Sequence, residues 1–182
     1  MKTHASLPQA APKIIVRSLS DGSSRGILTY GNLNFPCALG RSGRRADKRE
    51  GDGATPVGSF PLRQAWYRPD RLVRPPTCLP MAPIRPSDGW CDAPGDRNYN
   101  RPVQHPYPVS AERMWRDDGL YDVVVAMGYN DRPRIDGRGS AIFMHVAGVG
   151  LRPTEGCIAL ARPHLLRLLA AIPPDTQVEV LA

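Results

Sequence analysis

A chain of 182 residues, 41% of them hydrophobic, is long enough for one domain with a substantial core and too apolar for a disordered tail. No stretch approaches the ~20 apolar residues a membrane helix needs, so no membrane span is expected. The net charge of +7 comes from 24 Lys and Arg, only three of them lysine. It favours anionic surroundings, yet the arginines scatter through loops without a dense run, so nucleic acid is not an expected partner.

Residues 1–12 read as a polar, mobile tail. They hold no apolar core of the kind a secretory signal needs, so no export signal is visible. Lys13–Arg17 reads as a strand, Asp21–Gly26 as a turn, and Ile27–Tyr30 as the return strand of a hairpin. After the turn Gly31–Asn34, Phe35–Leu39 is another short strand. A basic, Gly-rich loop follows from Gly40 to Gly53. The segment Asp52–Leu62, punctuated by Gly and Pro, reads as a turn leading into a strand.

Residues 69–110 are the least regular stretch, rich in proline, with Trp90, Cys91, Asp92, Tyr99, Asn100 and His105. A loop of this length is usually functional or disordered, and its aromatics favour an ordered cover. Ser110–Trp115 suits a helical turn. Tyr121–Met127, rich in β-branched residues, predicts a strong strand ended by Gly128–Asp131. Ala141–Val146 is the next strand. The one clear helix runs from Arg162 to Ile172, with Pro163 in its first turn and Leu165, Leu166, Leu168, Leu169 and Ile172 as its apolar face. Pro173 and Pro174 stop it, and Thr176–Leu181 alternates as a final strand. With 20 prolines, 17 glycines, no repeats and no linker, the sum is a mainly β domain over residues 13–182, expected as a monomer.

The chemistry concentrates between Gly139 and Leu160. His145 ends an apolar strand, and Cys157 follows Gly156 and opens another apolar run. A thiol has an ordinary pKa of about 8.5 and becomes a nucleophile beside a histidine. The imidazole takes the thiol proton and returns it to a leaving amine. Gly156 lets substrate approach closely, and the amides of Gly156 and Cys157 suit a developing oxyanion. These parts suffice for acyl transfer through a thioester. The same residue types also serve as a small core hydrophobe and a structural histidine. Spacing alone leaves the two readings open. The other cysteines, 37, 78 and 91, include no CxxC pair, so no zinc site is expected. Cys37 reads as buried. Cys78 and Cys91 suit either a disulfide or two free thiols.

Three blocks, in order, carry a resemblance: Gly-Asp-Gly-Ala-Thr-Pro-Val-Gly-Ser-Phe (51–60), Gly-Ser-Ala-Ile-Phe-Met-His (139–145) and Pro-Thr-Glu-Gly-Cys-Ile-Ala-Leu (153–160). With the strands between them, the chain resembles the L,D-transpeptidase catalytic domain (YkuD) family over roughly residues 13–181. The resemblance implies a β-sandwich-like domain, Cys157 as nucleophile, His145 as general base and acid, and a backbone carbonyl at or near Val146 that orients the imidazole. It implies no metal and no cofactor. It implies peptidoglycan stem peptides as donor, a diaminopimelate amine as acceptor, acylation by carbapenems, and a periplasmic or cell-envelope location.

The pattern departs from many members at two positions. Glu155 stands where His precedes the Gly-Cys pair, and Ala159 stands where Arg follows the cysteine by two. A proteobacterial branch similar in this respect is associated with 1→3 in place of 3→3 cross-links. Hydrolysis at the same site, as an L,D-carboxypeptidase or amidase, and a noncatalytic cell-wall-binding module are the alternatives. Around the pair, Tyr129, Asn130, Ser140, Thr154, Glu155, Arg138, Arg152, Trp90, Tyr99 and Asn100 are the candidate substrate-binding residues. Loop packing for Trp90, Tyr99 and Asn100, a turn role for Asn130, a strand-start role for Ser140 and plain surface charge for Arg138 and Arg152 are the competing readings.

Overall fold

The computed structural model describes residues 13–182; the expected tail, residues 1–12, lies outside them. Ile14 and Val16 are fully buried between more exposed neighbours in Lys13–Ser18 (β1), the period-two signature of a half-buried strand. Arg25–Tyr30 (β2) and Leu33–Ala38 (β3) continue an antiparallel meander, turning at Gly31, whose φ of +53° suits glycine. Next come Arg44–Arg45 (β4) and Thr55–Pro56 (β5), a short parallel pair, and the long strand Gly58–Tyr67 (β6). Met81–Pro83 (β7), Asp88–Cys91 (β8), Arg101–Gln104 (β9) and Ala111–Arg113 (β10) follow. The chain then forms Val123–Met127 (β11), Phe143–Val146 (β12), Ile158–Leu160 (β13), the helix Arg162–Ala171 (α1) and Gln177–Val180 (β14).

The main sheet runs β11-β12-β13-β3-β2-β1-β14-β6-β7, and β11 also pairs with β6, so the ladder returns on itself. The long β6 makes this possible. Its first half bonds to β14 and its second half to β11. The enclosed core holds Ile14, Leu28, Met144, Ile158 and Leu160, together with Leu165, Leu168 and Leu169 of α1. The fold is mainly β with one helix, as the sequence predicts.

Two expectations are corrected. Ser110–Trp115 is not a helical turn: its centre is β10, with Ala111 opposite Cys91 and Arg113 opposite Gly89 on β8. A partner 20 residues upstream in sequence overrides local propensity there. Residues 69–110 are more regular than a loop, because they contain β7 and the β8–β9 hairpin of a second, three-stranded sheet. Cys78 is exposed and Cys91 buried, and both are free thiols.

Candidate active site

Side chains alternate across a strand, so each of β11, β12 and β13 presents one set inward and another outward. Met144, Val146, Ile158 and Leu160 enter the main core. Phe143, Val124, Ala126 and Cys157 belong to a second apolar cluster on the opposite face. His145 shares that face with Phe143 by the same alternation. β12 and β13 are parallel neighbours, with His145 opposite Ala159 and Met144 opposite Ile158. His145 therefore stands on β12, and Cys157, twelve residues on, stands immediately before the neighbouring strand β13 with its side chain in the same second cluster as Phe143.

The Cys157 sulfur accepts a hydrogen bond from the Phe143 amide at 3.4 Å and donates one to the Ala141 carbonyl at 3.3 Å. Burial pushes the thiol up to about 12, the Glu112 carboxylate adds to this, and the Phe143 amide, Lys48 and Arg116 oppose it. His145 Nδ1 lies 2.8 Å from the Val146 carbonyl, at the place the family resemblance implies. A carbonyl only accepts, so Nδ1 carries the proton and Nε2 the lone pair. Burial draws the imidazole down to about 4, against the pull of the Val146 carbonyl. The resting pair is thus a neutral thiol and a neutral imidazole, not the partly ionised thiol that an unperturbed cysteine would give.

Gly156 has φ +133°, and a Cβ there would stand 2.7 Å from the Ala54 carbonyl oxygen. Only glycine allows this approach. Its N–H donates to Thr154 Oγ1 at 3.2 Å. Thr154 Oγ1 in turn donates to the Cys157 carbonyl at 2.6 Å, and the Thr154 backbone is laddered to Leu39 and Arg41. Thr154 therefore shapes the turn that presents the cysteine.

Both His145 and Cys157 line a cavity of about 830 Å³. Four of the candidate substrate residues share its wall: Ser140, Arg152, Thr154 and Glu155. Glu155 is held by Arg41 at 2.8 Å in an exposed pair. The other six lie behind the wall. Asn100 accepts from Trp90 Nε1 at 2.9 Å and from the Ala141 amide at 3.1 Å, and donates to the carbonyls of Tyr129 and Asn130. Tyr99 donates to Glu50 and accepts from the Gly139 amide. Tyr129 donates to the Arg138 carbonyl, and the Arg138 guanidinium pairs with Asp47. The Asn130 side chain bridges Ile135 and Gly139. Trp90 packs edge-on against Phe143, with ring centroids 5.0 Å apart. The partners of these six are protein groups: most are in or beside segment 138–143, and that of the Arg138 guanidinium is Asp47.

Sequence reasoning missed Glu112, Arg116 and Tyr121, which also line the cavity. The Tyr121 ring stands edge-on to His145 at 5.4 Å, and its hydroxyl donates to Glu112 at 2.6 Å. Burial raises the Glu112 carboxyl, opposed by Tyr121 and Arg116. Nothing in the local pattern marks Glu112, because its place depends on the β8–β10 pairing. Among the described residues no group of three His, Cys, Asp or Glu is placed to hold a metal ion, and no helix is long and apolar enough to cross a membrane.

The family model for the L,D-transpeptidase catalytic domain (YkuD) matches residues 16–180. The chain belongs to this family. The L,D-transpeptidase domain accounts for nearly all of the described residues. A solved structure, L,D-transpeptidase 1 of Mycobacterium tuberculosis, is 13% identical, with a TM-score of 0.42 over 93% of this chain and 59% of that one. The chain thus spans about three fifths of the length of that relative. No curated protein matches the chain.

Proposed function

We propose that this L,D-transpeptidase domain is a cysteine acyltransferase that cross-links peptidoglycan stem peptides in the cell envelope, with Cys157 as nucleophile and His145 as general base and acid. The observation that supports this reading is that His145 on β12 and Cys157, at the entrance to the parallel neighbour β13, line one cavity, with the His145 Nδ1–H held by the Val146 carbonyl. As the sulfur attacks the donor carbonyl, the S–H bond breaks and its proton passes to His145 Nε2. The amine leaving the donor takes that proton. The thioester is then opened by an acceptor amine, which returns a proton to His145 and restores the thiol. The Cys157 amide supports the oxyanion, and the Gly156 amide joins only if it exchanges its Thr154 partner.

Glu155 and Ala159 line the cavity where many members place His and Arg. An alanine opens space and removes a cation that would hold a stem-peptide carboxylate. That change supports 1→3 bonding, in which the donor carbonyl lies nearer the start of the stem, in place of the 3→3 bond. The test is intact mass after exposure to a carbapenem, together with defined muropeptides read by tandem mass spectrometry. Wild type gains one carbapenem mass and forms dimers; Cys157→Ala does neither. Trimmed monomers without dimers would establish a hydrolase instead, and no mass gain in wild type would remove the acyl-transfer reading. Only 3→3 dimers would exclude the 1→3 assignment.

A further inference from the structure

The loop Gly51–Thr55 carries more than a turn. Lys48, at its entrance, is one of the few buried charged residues, with 3% of its side chain exposed. Its Nζ donates to Asp52 Oδ1 at 2.7 Å and to the Arg49 carbonyl at 3.3 Å. Asp52 is itself anchored by the amides of Arg49 and Ala54 at 2.8 and 2.9 Å. Although burial pushes the Asp52 carboxyl up, those amides and Lys48 hold it below the usual carboxylate range.

The path of the lysine is set by two glycines. A Cβ on Gly139 would stand 3.0 Å from Lys48 Cε, and a Cβ on Gly156 would stand 3.4 Å from Lys48 Nζ. Gly139 opens the segment leading to His145, and Gly156 immediately precedes Cys157. The lysine stem therefore passes the first catalytic segment and its ammonium ends against the second. Asp52 takes the side of the ammonium facing its own loop, and among the described residues the third N–H has no acceptor.

We propose that Lys48 is a positioning residue of the acyl-transfer site: its buried ammonium, carried past Gly139 to Gly156 and held by Asp52, stabilises the negative charge that forms on the Cys157 sulfur. This rests on the acyl-transfer reading above. A neutral thiol and a neutral imidazole must become thiolate and imidazolium inside an apolar wall, and an unassisted ion pair there is costly. An ammonium already desolvated and fixed beside the turn lowers that cost without reorganising. The ionisable groups sharing the cavity with the sulfur are Glu112 on β10, Arg116 and Asp118 beyond it, Tyr121 before β11 and His145 on β12, with Glu50, Asp92, Arg152 and Glu155 on the loops around them. Those near the ammonium are Asp52 and, beyond Gly139, Tyr129 and the Tyr99–Glu50 pair. Lys48 is the buried cation at the cysteine turn, whereas Arg41 meets the same turn at Glu155 in an exposed pair.

The experiment compares wild type, Lys48→Arg and the charge-balanced double variant Lys48→Met with Asp52→Asn. Alkylation of Cys157 by iodoacetamide is followed against pH by peptide mass mapping, and carbapenem acylation by intact mass. Unfolding is monitored alongside. The folded double variant has its alkylation profile moved up by at least one pH unit, about tenfold less thiolate at a fixed pH. Its acylation slows correspondingly, while Lys48→Arg stays near wild type. A double variant that folds with the wild-type profile, or that does not fold at all, overturns the proposal. Wild type that is alkylated at Cys157 but takes up no carbapenem instead sinks the acyl-transfer reading, and the alkylation profiles still judge Lys48.

Discussion

Gly156 shows how much one residue can constrain the site. Its φ of +133° and the 2.7 Å approach of the Ala54 carbonyl leave no room for a methyl group, and the opposing atom is backbone. Gly156→Ala is expected to cost about 1–3 kcal/mol through strain at this position. The relaxation moves the Cys157 turn, so carbapenem acylation falls more than the thermal midpoint would suggest. Acylation at the wild-type rate in the folded variant would show that the turn tolerates the shift. Asn100 makes the complementary point. Its left-handed φ of +54° and four hydrogen bonds mark it as a structural hub holding segment 139–141, although its chemistry alone suits a substrate contact equally well.

Among the elements, α1 is where sequence and structure agree most closely. Leu165, Leu168 and Leu169 are fully buried, Leu166 is only partly so, and the helix ends before Ile172 and its following prolines. No side chain caps its N-terminus. Burial of the leucine stripe therefore holds it, more than local signals do. Leu168→Ala is expected to lower stability by about 2–5 kcal/mol, read by urea unfolding. With the site on the far side of the main sheet, carbapenem acylation by the remaining folded protein should be little changed. The small β8–β9–β10 sheet has the opposite character. It was invisible locally because its strands have three or four residues each and are specified by pairing with one another.

For the whole molecule, burial of an uncharged site makes stability depend on pH. His145 titrates at about 4 when folded and near 6.5 when exposed, because burial penalises the imidazolium. Between those values the unfolded chain binds the proton and the folded one does not. Its contribution is fully present above pH 6.5 and is lost as pH falls towards 4, up to about 3 kcal/mol. On the alkaline side, burial raises both Cys37 and Cys157 from 9.0 to about 12. Stability then falls as pH rises through 9, where the unfolded thiols ionise and the folded ones do not. Denaturant midpoints measured from pH 4 to 7 should rise more steeply in wild type than in His145→Gln. Equal slopes would show that the imidazole is not held neutral.

The strands of the meander, the helix, the mainly β class and the Cys157–His145 pair could all be read from the chain, because each depends on periodicity or on a short motif. Gly156 was also legible as a place of close approach, since a glycine before a cysteine is a local feature. What only the tertiary structure decided is everything that depends on which strands become neighbours. The parallel pairing of β12 and β13 brings His145 and Cys157 to one cavity. The β8–β10 pairing brings Glu112 to the cavity, and the return of β11 to β6 closes the ladder. The same packing divided ten candidate binding residues into four at the wall and six behind it, and placed Lys48 between two glycines far from it in sequence. A residue's type and local spacing determine what chemistry it can perform; its partners across the sheet determine whether it faces substrate, supports a neighbour, or is buried between them.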